Sequence, residues 1–187
     1  MLKVGIVSMG KMGLTISRSV MNSGNEVHWT SVGRSQQTID NAKTLTGAVE
    51  HDSLAELLDA SDILFCIGRL GVGIETITAA AKHGFRGIYV EGNNPHNEES
   101  DQEFREIANL ANINYVEALF RGFPLDYDQG GGQEKRDLYI SGQSESTGIV
   151  ESLFKDGIWI VQVVDGSAKA INRTILESNR EIFNRPF

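Results

Sequence analysis

Short apolar runs alternate with amphipathic stretches over most of this chain. Residues 2–8 (Leu-Lys-Val-Gly-Ile-Val-Ser) carry the pattern of a buried strand, and the spacing that follows predicts a helix from Gly10 to Asn22. The turn Ser23-Gly24-Asn25 leads into a second strand from Glu26 to Thr30, then a helix from Gln36 to Leu45 and a short strand at Ala48-Val49-Glu50. Ser53 and Glu56 have the spacing of a capping box and open a short helix to Asp59. Residues 62–67 form the next clear strand, with a helix at 73–83 behind it. Gly87 to Glu91 follows as a strand, then a long polar helix to Ala111, then a strand from Asn114 to Ala118. Strands that are apolar throughout and alternate with helices predict an α/β fold with a parallel sheet covered on both faces.

The pattern changes after residue 123. Residues 124–136 are a polar loop containing three consecutive glycines. A strand at 137–141, a helix at 145–154 and a strand at 158–164 follow, and a closing helix is expected from Gly166 to Asn184. The chain therefore divides into a main α/β domain over 1–165 and a terminal helix over 166–187.

Charge narrows the partners. Seventeen Lys and Arg against 25 Asp and Glu give a net charge of −8, which disfavours nucleic acid and anionic membrane surfaces. An anionic ligand would have to be held by a few placed groups. Cys66 stands alone in the apolar run Ile63-Leu64-Phe65-Cys66-Ile67, so an intramolecular disulfide and a paired-thiolate metal site are excluded, and a buried structural thiol is expected. The first strand reaches Gly5 too soon for a signal-peptide core, and no apolar stretch is long enough to span a bilayer. A soluble, cytoplasmic protein without a metal site is the expectation.

Candidate chemistry collects at strand exits. Ser8-Met9-Gly10-Lys11-Met12-Gly13 lies where the first strand turns into the first helix, where a dinucleotide needs small residues so that helix amides can approach its pyrophosphate. The usual G-x-G-x-x-G begins here with Ser8, and the same residues also suit an ordinary tight turn. At the second strand's exit, Thr30-Ser31-Val32-Gly33-Arg34-Ser35 lacks the acid that would bind ribose hydroxyls. Arg34 offers a planar fork for a 2′-phosphate and Ser35 a hydroxyl donor, which points to NADP; a solvated loop arginine is the alternative.

Ile67-Gly68-Arg69 should pass the nicotinamide-side ribose, with Arg69 facing substrate or water. Asn93 and Asn94, in Glu91-Gly92-Asn93-Asn94-Pro95-His96, suit hydrogen bonding to a nicotinamide carboxamide or a substrate, or simply a turn. His96 reads as a surface helix residue. Lys169 and Asn172 share a helix face three residues apart, as do many polar pairs on amphipathic helices.

Together these segments resemble the β-hydroxyacid dehydrogenase superfamily, which includes 6-phosphogluconate and 3-hydroxyisobutyrate dehydrogenases and the imine reductases. Val4 to Gly13 is similar to the family's cofactor turn, and Gly33-Arg34-Ser35 resembles the strand exit of an NADP-using, 6-phosphogluconate dehydrogenase-like branch, as does the stretch from Phe85 to Glu91. Tyr115-Val116-Glu117-Ala118 and Leu138-Tyr139-Ile140-Ser141-Gly142 look like the start of the substrate-loop motif and the strand after it. Lys169-x-x-Asn172 matches the family's Lys-x-x-Asn.

The resemblance implies a Rossmann-like, doubly wound, mostly parallel sheet with a C-terminal interdomain-type helix. It implies an NADP-dependent oxidoreductase in which Lys169 is general acid or base, Asn172 orients the substrate oxygen, and hydride passes to or from nicotinamide C4. The substrate would be a small hydroxy acid, ketone or imine. Where the family continues with Pro, a small residue and Ser-Gly-Gly, this chain reads Leu119-Phe120-Arg121-Gly122-Phe123, so Arg121 and Gly122 are the substrate-side candidates, with Arg121 either clamping a carboxylate or phosphate or filling the pocket.

The family's closing helix leads into an all-helical domain that is expected to be absent here, the chain ending at Phe187. A homodimer is then expected through the last helix, whose apolar stripe is Ala168, Ile171, Ile175 and Ile182. A non-catalytic NADP-binding or regulatory module and an assembly subunit are the rival expectations.

Overall fold

The computed structural model describes residues 1–68, 70–93, 98–122 and 135–174. In chain order the elements are β1 (Lys3–Ile6), α1 (Lys11–Asn22), β2 (Glu26–Thr30), α2 (Gln36–Lys43), β3 (Val49–His51), α3 (Leu54–Asp59) and β4 (Ile63–Cys66). They continue as α4 (Leu70–His83), β5 (Ile88–Glu91), α5 (Glu98–Ala111), β6 (Asn114–Phe120), β7 (Arg136–Gly142), α6 (Ser144–Glu151) and β8 (Trp159–Val163). Residues 168–174 are the described part of the closing helix.

The strands form one sheet in the order β3-β2-β1-β4-β5-β6-β7-β8. β1 to β6 are mutually parallel, β7 runs antiparallel to β6, and β8 is parallel to β7 through the α6 crossover. The fold is therefore the expected Rossmann-like, doubly wound α/β fold, with its strand order reversing beside β1. Because β1, β2, β4, β5 and β6 are parallel, Ser8, Arg34, Gly68, Asn93 and Arg121 all lie at one edge of the sheet.

Side-chain alternation builds two cores. Val4, Ile6, Phe65, Val90 and Val116 pack on one face with Ile16 and Val20 of α1 and Val150 of α6. Leu64, Cys66 and Tyr89 pack on the other with Leu57 of α3, Ile77 of α4 and Phe104 of α5. Each such fully buried aliphatic or aromatic side chain contributes roughly 1.5–3 kcal/mol, so these alternating strands carry most of the stability. The far end of the sheet is tied back to α1, because Trp159 Nε1 donates to Ser19 Oγ at 2.9 Å within the cluster of Phe120, Phe154 and Trp159 rings.

Two expectations shift. α4 begins at Leu70, three residues ahead of the expected start at 73, because Gly71 and Gly73 hide its first turn from propensity. Gly73 has a packing reason to be there: a Cβ would stand 2.6 Å from Asn93 Nδ2 and 2.8 Å from Phe104 Cζ. The second concerns the apolar stripe of the closing helix. Ala168 is fully buried against this chain's own sheet, so it is not available for another subunit. Ile175 and Ile182 lie outside the described residues, as do most of the loop at 124–136 and the helix beyond residue 174.

Candidate functional site

The turn between β1 and α1 is shaped by close approach. Gly13 faces the strand so tightly that a Cβ would lie 1.9 Å from the Ser8 carbonyl oxygen, closer than any real contact. Gly10 is the N-cap of α1 in extended conformation with no side-chain cap, which leaves the first-turn amides pointing out of the helix end. A Cβ on Gly10 would meet only Ser8 Oγ, at 3.9 Å, so the space in front of the amides is open. Met9 is core: it is buried and its sulfur accepts from Ser17 Oγ at 3.2 Å, so only its backbone borders the turn. Asn41 of α2, which sequence reasoning missed, braces that backbone through Nδ2 to Met9 O at 3.1 Å. Lys11 is exposed at the helix end, and Met12 packs against the core.

Arg34 lies beyond β2 with its side chain half-buried, and its Nε is enclosed with no hydrogen-bond partner. Burial holds the guanidinium below the usual arginine range, with Cys66 and Glu75 opposing. A buried guanidinium donor without an acceptor is costly, and an anionic ligand would relieve it. Ser35 is exposed and caps α2, accepting from Thr38 N at 3.3 Å and sharing a hydrogen bond with the Thr38 hydroxyl at 3.1 Å. The open helix N-terminus and the unpartnered Nε of Arg34 lie at the same edge of the sheet, and both suit phosphate oxygens.

At the exits of β4 and β5, the side chains turn inward. Ile67 is buried, so its backbone and that of exposed Gly68 are what border the edge. Asn93 is buried too; its Oδ1 accepts from Gly68 N, its Nδ2 lies 3.7 Å from Cys66 Sγ, and its backbone N donates to Glu91 Oε1 at 2.7 Å. Its carboxamide therefore joins the two strand exits. Cys66 is the expected buried thiol, pushed up to about 11 by burial. Arg69, Asn94, Pro95 and His96 lie outside the described residues.

The Lys169 side chain is only 1% exposed, and its Nζ donates to Glu91 Oε1 at 3.4 Å. It also stands over the Phe104 ring, 5.7 Å from the centroid. Asn172 is half-buried on the same helix. Burial pulls the Lys169 amine down from its ordinary range, opposed by Glu91, Asp101 and Glu117, and pushes the Glu91 carboxyl up, opposed by Lys169.

Arg121 is half-buried and its backbone N donates to Asp137 O at 2.9 Å; Gly122 is exposed beside it. Sequence reasoning left Arg136 in the polar loop, whereas it is the first residue of β7. A Cβ on Gly122 would lie 3.2 Å from its Nη1, and its Nε is buried without a hydrogen-bond partner. This corner therefore holds a second enclosed guanidinium near Arg121. Among the described residues no group of His, Cys, Asp and Glu could hold a metal ion, and no helix is long and apolar enough to cross a membrane.

No protein-family model matches the sequence, and no curated protein does. Solved structures match well in shape. A conserved protein of unknown function, described as structurally similar to 3-hydroxyacid dehydrogenases, aligns at a TM-score of 0.75 and 22% identity over 93% of this chain and 63% of its own. An imine reductase from Myxococcus stipitatus in complex with NADP+ aligns at 0.75 and 17% identity over 97% of this chain and 62% of its own. A reductive aminase from Aspergillus terreus in complex with NADPH and ethyl-5-oxohexanoate aligns at 0.73 and 15% identity, again over 97% and 62%. The chain thus spans 62–63% of the length of these solved chains. At these identities the likeness establishes the fold, which is the one the sequence resemblance implied.

Proposed function

We propose that this chain binds NADP(H) across the β1–α1 turn and Arg34, and supplies the cofactor side of an oxidoreductase site for a small hydroxy acid, ketone or imine. The observation that carries the proposal is the pairing of an open, uncapped α1 N-terminus with the buried, unpartnered Nε of Arg34. Ser8, Met9, Gly10, Lys11, Met12 and Gly13 would line the pyrophosphate through their backbone, and Arg34 with Ser35 would take the 2′-phosphate. The backbone of Ile67 and Gly68 would border the nicotinamide ribose, Asn93 holding that loop in place. Bound there, the nicotinamide would supply a hydride to a carbonyl or imine carbon, or take one from an alcohol.

Lys169 is the general acid or base of this scheme, giving a proton to the substrate oxygen or nitrogen, or removing it, and Asn172 orients that atom. Arg121 and Gly122 border the substrate, with Arg136 beside them. The neighbours' own cofactors, NADP+ and NADPH in the two enzymes above, agree with this reading.

The burial of Lys169 favours one other reading, a module that binds NADP(H) without turnover. Turnover separates the two. The purified protein is expected to oxidise or reduce at least one member of a panel of hydroxy acids, ketones and cyclic imines with NADP(H). Lys169→Ala is expected to lower that rate at least a hundredfold, the scale of a lost general acid, while NADPH affinity stays within a few fold. Tight NADPH binding with no turnover across the panel would favour the binding module.

A further inference from the structure

The tripeptide Tyr-Val-Glu occurs twice, at 89–91 and 115–117, and the sheet lays the two copies side by side in register. Tyr89 stacks on Tyr115, with ring centroids 6.4 Å apart, and Glu91 lies next to Glu117. Glu117 in turn pairs with Ser141 of β7. A row of polar groups thus crosses β5, β6 and β7 on one face of the sheet, and both carboxylates are almost wholly buried, at 0% and 2% exposure.

The N-terminus of the closing helix is fastened to this row. Ser167 Oγ donates to Glu117 Oε2 at 2.7 Å, Ala168 N donates to Ser141 Oγ at 3.1 Å, and Lys169 Nζ donates to Glu91. Three carboxylates and three cations meet here. Arg105 of α5 pairs with Glu117, and Arg173 pairs with Asp101 at 2.6 Å. Glu91 is the remaining carboxylate, and Lys169 is its ion-pair partner among the described residues.

Glu91 is also fixed from the cofactor side. The Oε1 atom that accepts from Lys169 also accepts from Asn93 N, and Asn93 Oδ1 accepts from Gly68 N. The other oxygen, Oε2, is buried without a hydrogen-bond partner under Gly73, where a Cβ would come within 3.2 Å. A carboxylate so enclosed is strongly unfavourable unless a cation answers it.

From this arrangement we propose that Glu91 is the positioning residue for Lys169: it holds the ammonium beneath the closing helix, keeps its proton in place, and links it through Asn93 to the loop at Gly68. The inference rests on the proposed role of Lys169 in an oxidoreductase site. Burial alone would leave a neutral amine, unable to donate to a substrate oxygen. Asp101 and Glu117 also face the ammonium but have arginine partners, so Glu91, which bonds to it directly, supplies the largest share of the balancing charge. The other titratable groups facing this space are the Cys66 thiol and the Tyr89 and Tyr115 hydroxyls, and burial keeps all three neutral.

The test is a pH titration of the Lys169 Cε shift by lysine-labelled NMR on the whole chain, with the resonance assigned through Lys169→Gln. In Glu91→Gln the Lys169 titration is expected to move down by about one pH unit or more, the scale of losing an opposite charge in contact. Glu91→Asp, which keeps the charge, should restore most of it, and Glu117→Gln should shift it less than Glu91→Gln does. An unchanged Lys169 titration in Glu91→Gln overturns the proposal. If Glu91→Gln does not fold, Glu91→Gln/Lys169→Met must recover the fold, because removing both charges leaves neither stranded; failure to recover overturns it as well. NADPH binding and turnover are followed in parallel. Their absence would count against the proposed function while the Lys169 titration still decides the pairing.

Discussion

Gly13→Ala unfolds or severely destabilises the protein, by about 3 kcal/mol in urea denaturation. Alanine is the better helix former by about 1 kcal/mol, so propensity alone predicts the opposite sign. The clash decides it. The new Cβ would stand 1.9 Å from the Ser8 carbonyl oxygen, a backbone atom that no rotamer change can move aside. Either α1 lifts from β1, breaking the packing of Ile16 and Val20, or the turn is rebuilt. Gly10→Ala is the matched comparison, because its Cβ meets only Ser8 Oγ at 3.9 Å. It should keep the fold at a cost of about 1 kcal/mol or less. It places a methyl group where the pyrophosphate would approach the helix end, so NADPH binding should weaken by tenfold or more. A stable Gly13→Ala protein would show that α1 does not press on the strand as described.

Arg34→Ala weakens NADPH binding by about 30-fold while leaving NADH binding within a factor of about two. A charge-assisted contact to a phosphate contributes about 2 kcal/mol, and 1.4 kcal/mol is a factor of ten in affinity. The protein itself should not lose stability. Arg34 Nε is buried with no acceptor, so its removal in the free protein takes away an unsatisfied donor and loses no bond made through that atom. A structural arginine predicts the reverse, with lower melting temperature and little change in nucleotide preference. Thermal unfolding and calorimetric titration of the same variant separate the two.

The architecture was legible because each strand is short, apolar and bounded by turn residues, and because period-two and helical stretches alternate. The positions of the β1–α1 turn and of Arg34 were legible for a related reason: both stand at strand exits, and strand exits are what periodicity locates. Side-chain roles in the interior were not. Asn93 stands in an exit sequence that suits a ligand contact, yet its carboxamide is bonded to Gly68 and set beside Cys66, which only the approach of α4 at Gly73 explains.

Lys169 illustrates the same limit. Its spacing from Asn172 places both on one helix, but nothing local in the chain indicates the acid that answers it. The available signal was the repeated Tyr-Val-Glu, which sets an acid in each of two otherwise largely apolar strands. Only the parallel register turns those separate copies into one buried row. Arg136 was missed because a Gly-rich tract precedes it and loop composition extends up to its neighbours, whereas its pairing partner Trp159 draws it into β7.

The central claim is that the β1–α1 turn and Arg34 together make a site for a 2′-phosphorylated dinucleotide. Fluorescence titration of the purified protein with NADPH and, separately, with NADH tests it most directly. The account predicts saturable NADPH binding at least tenfold tighter than NADH. Equal affinity for the two would contradict the role of Arg34, and binding of neither would contradict the cofactor site itself.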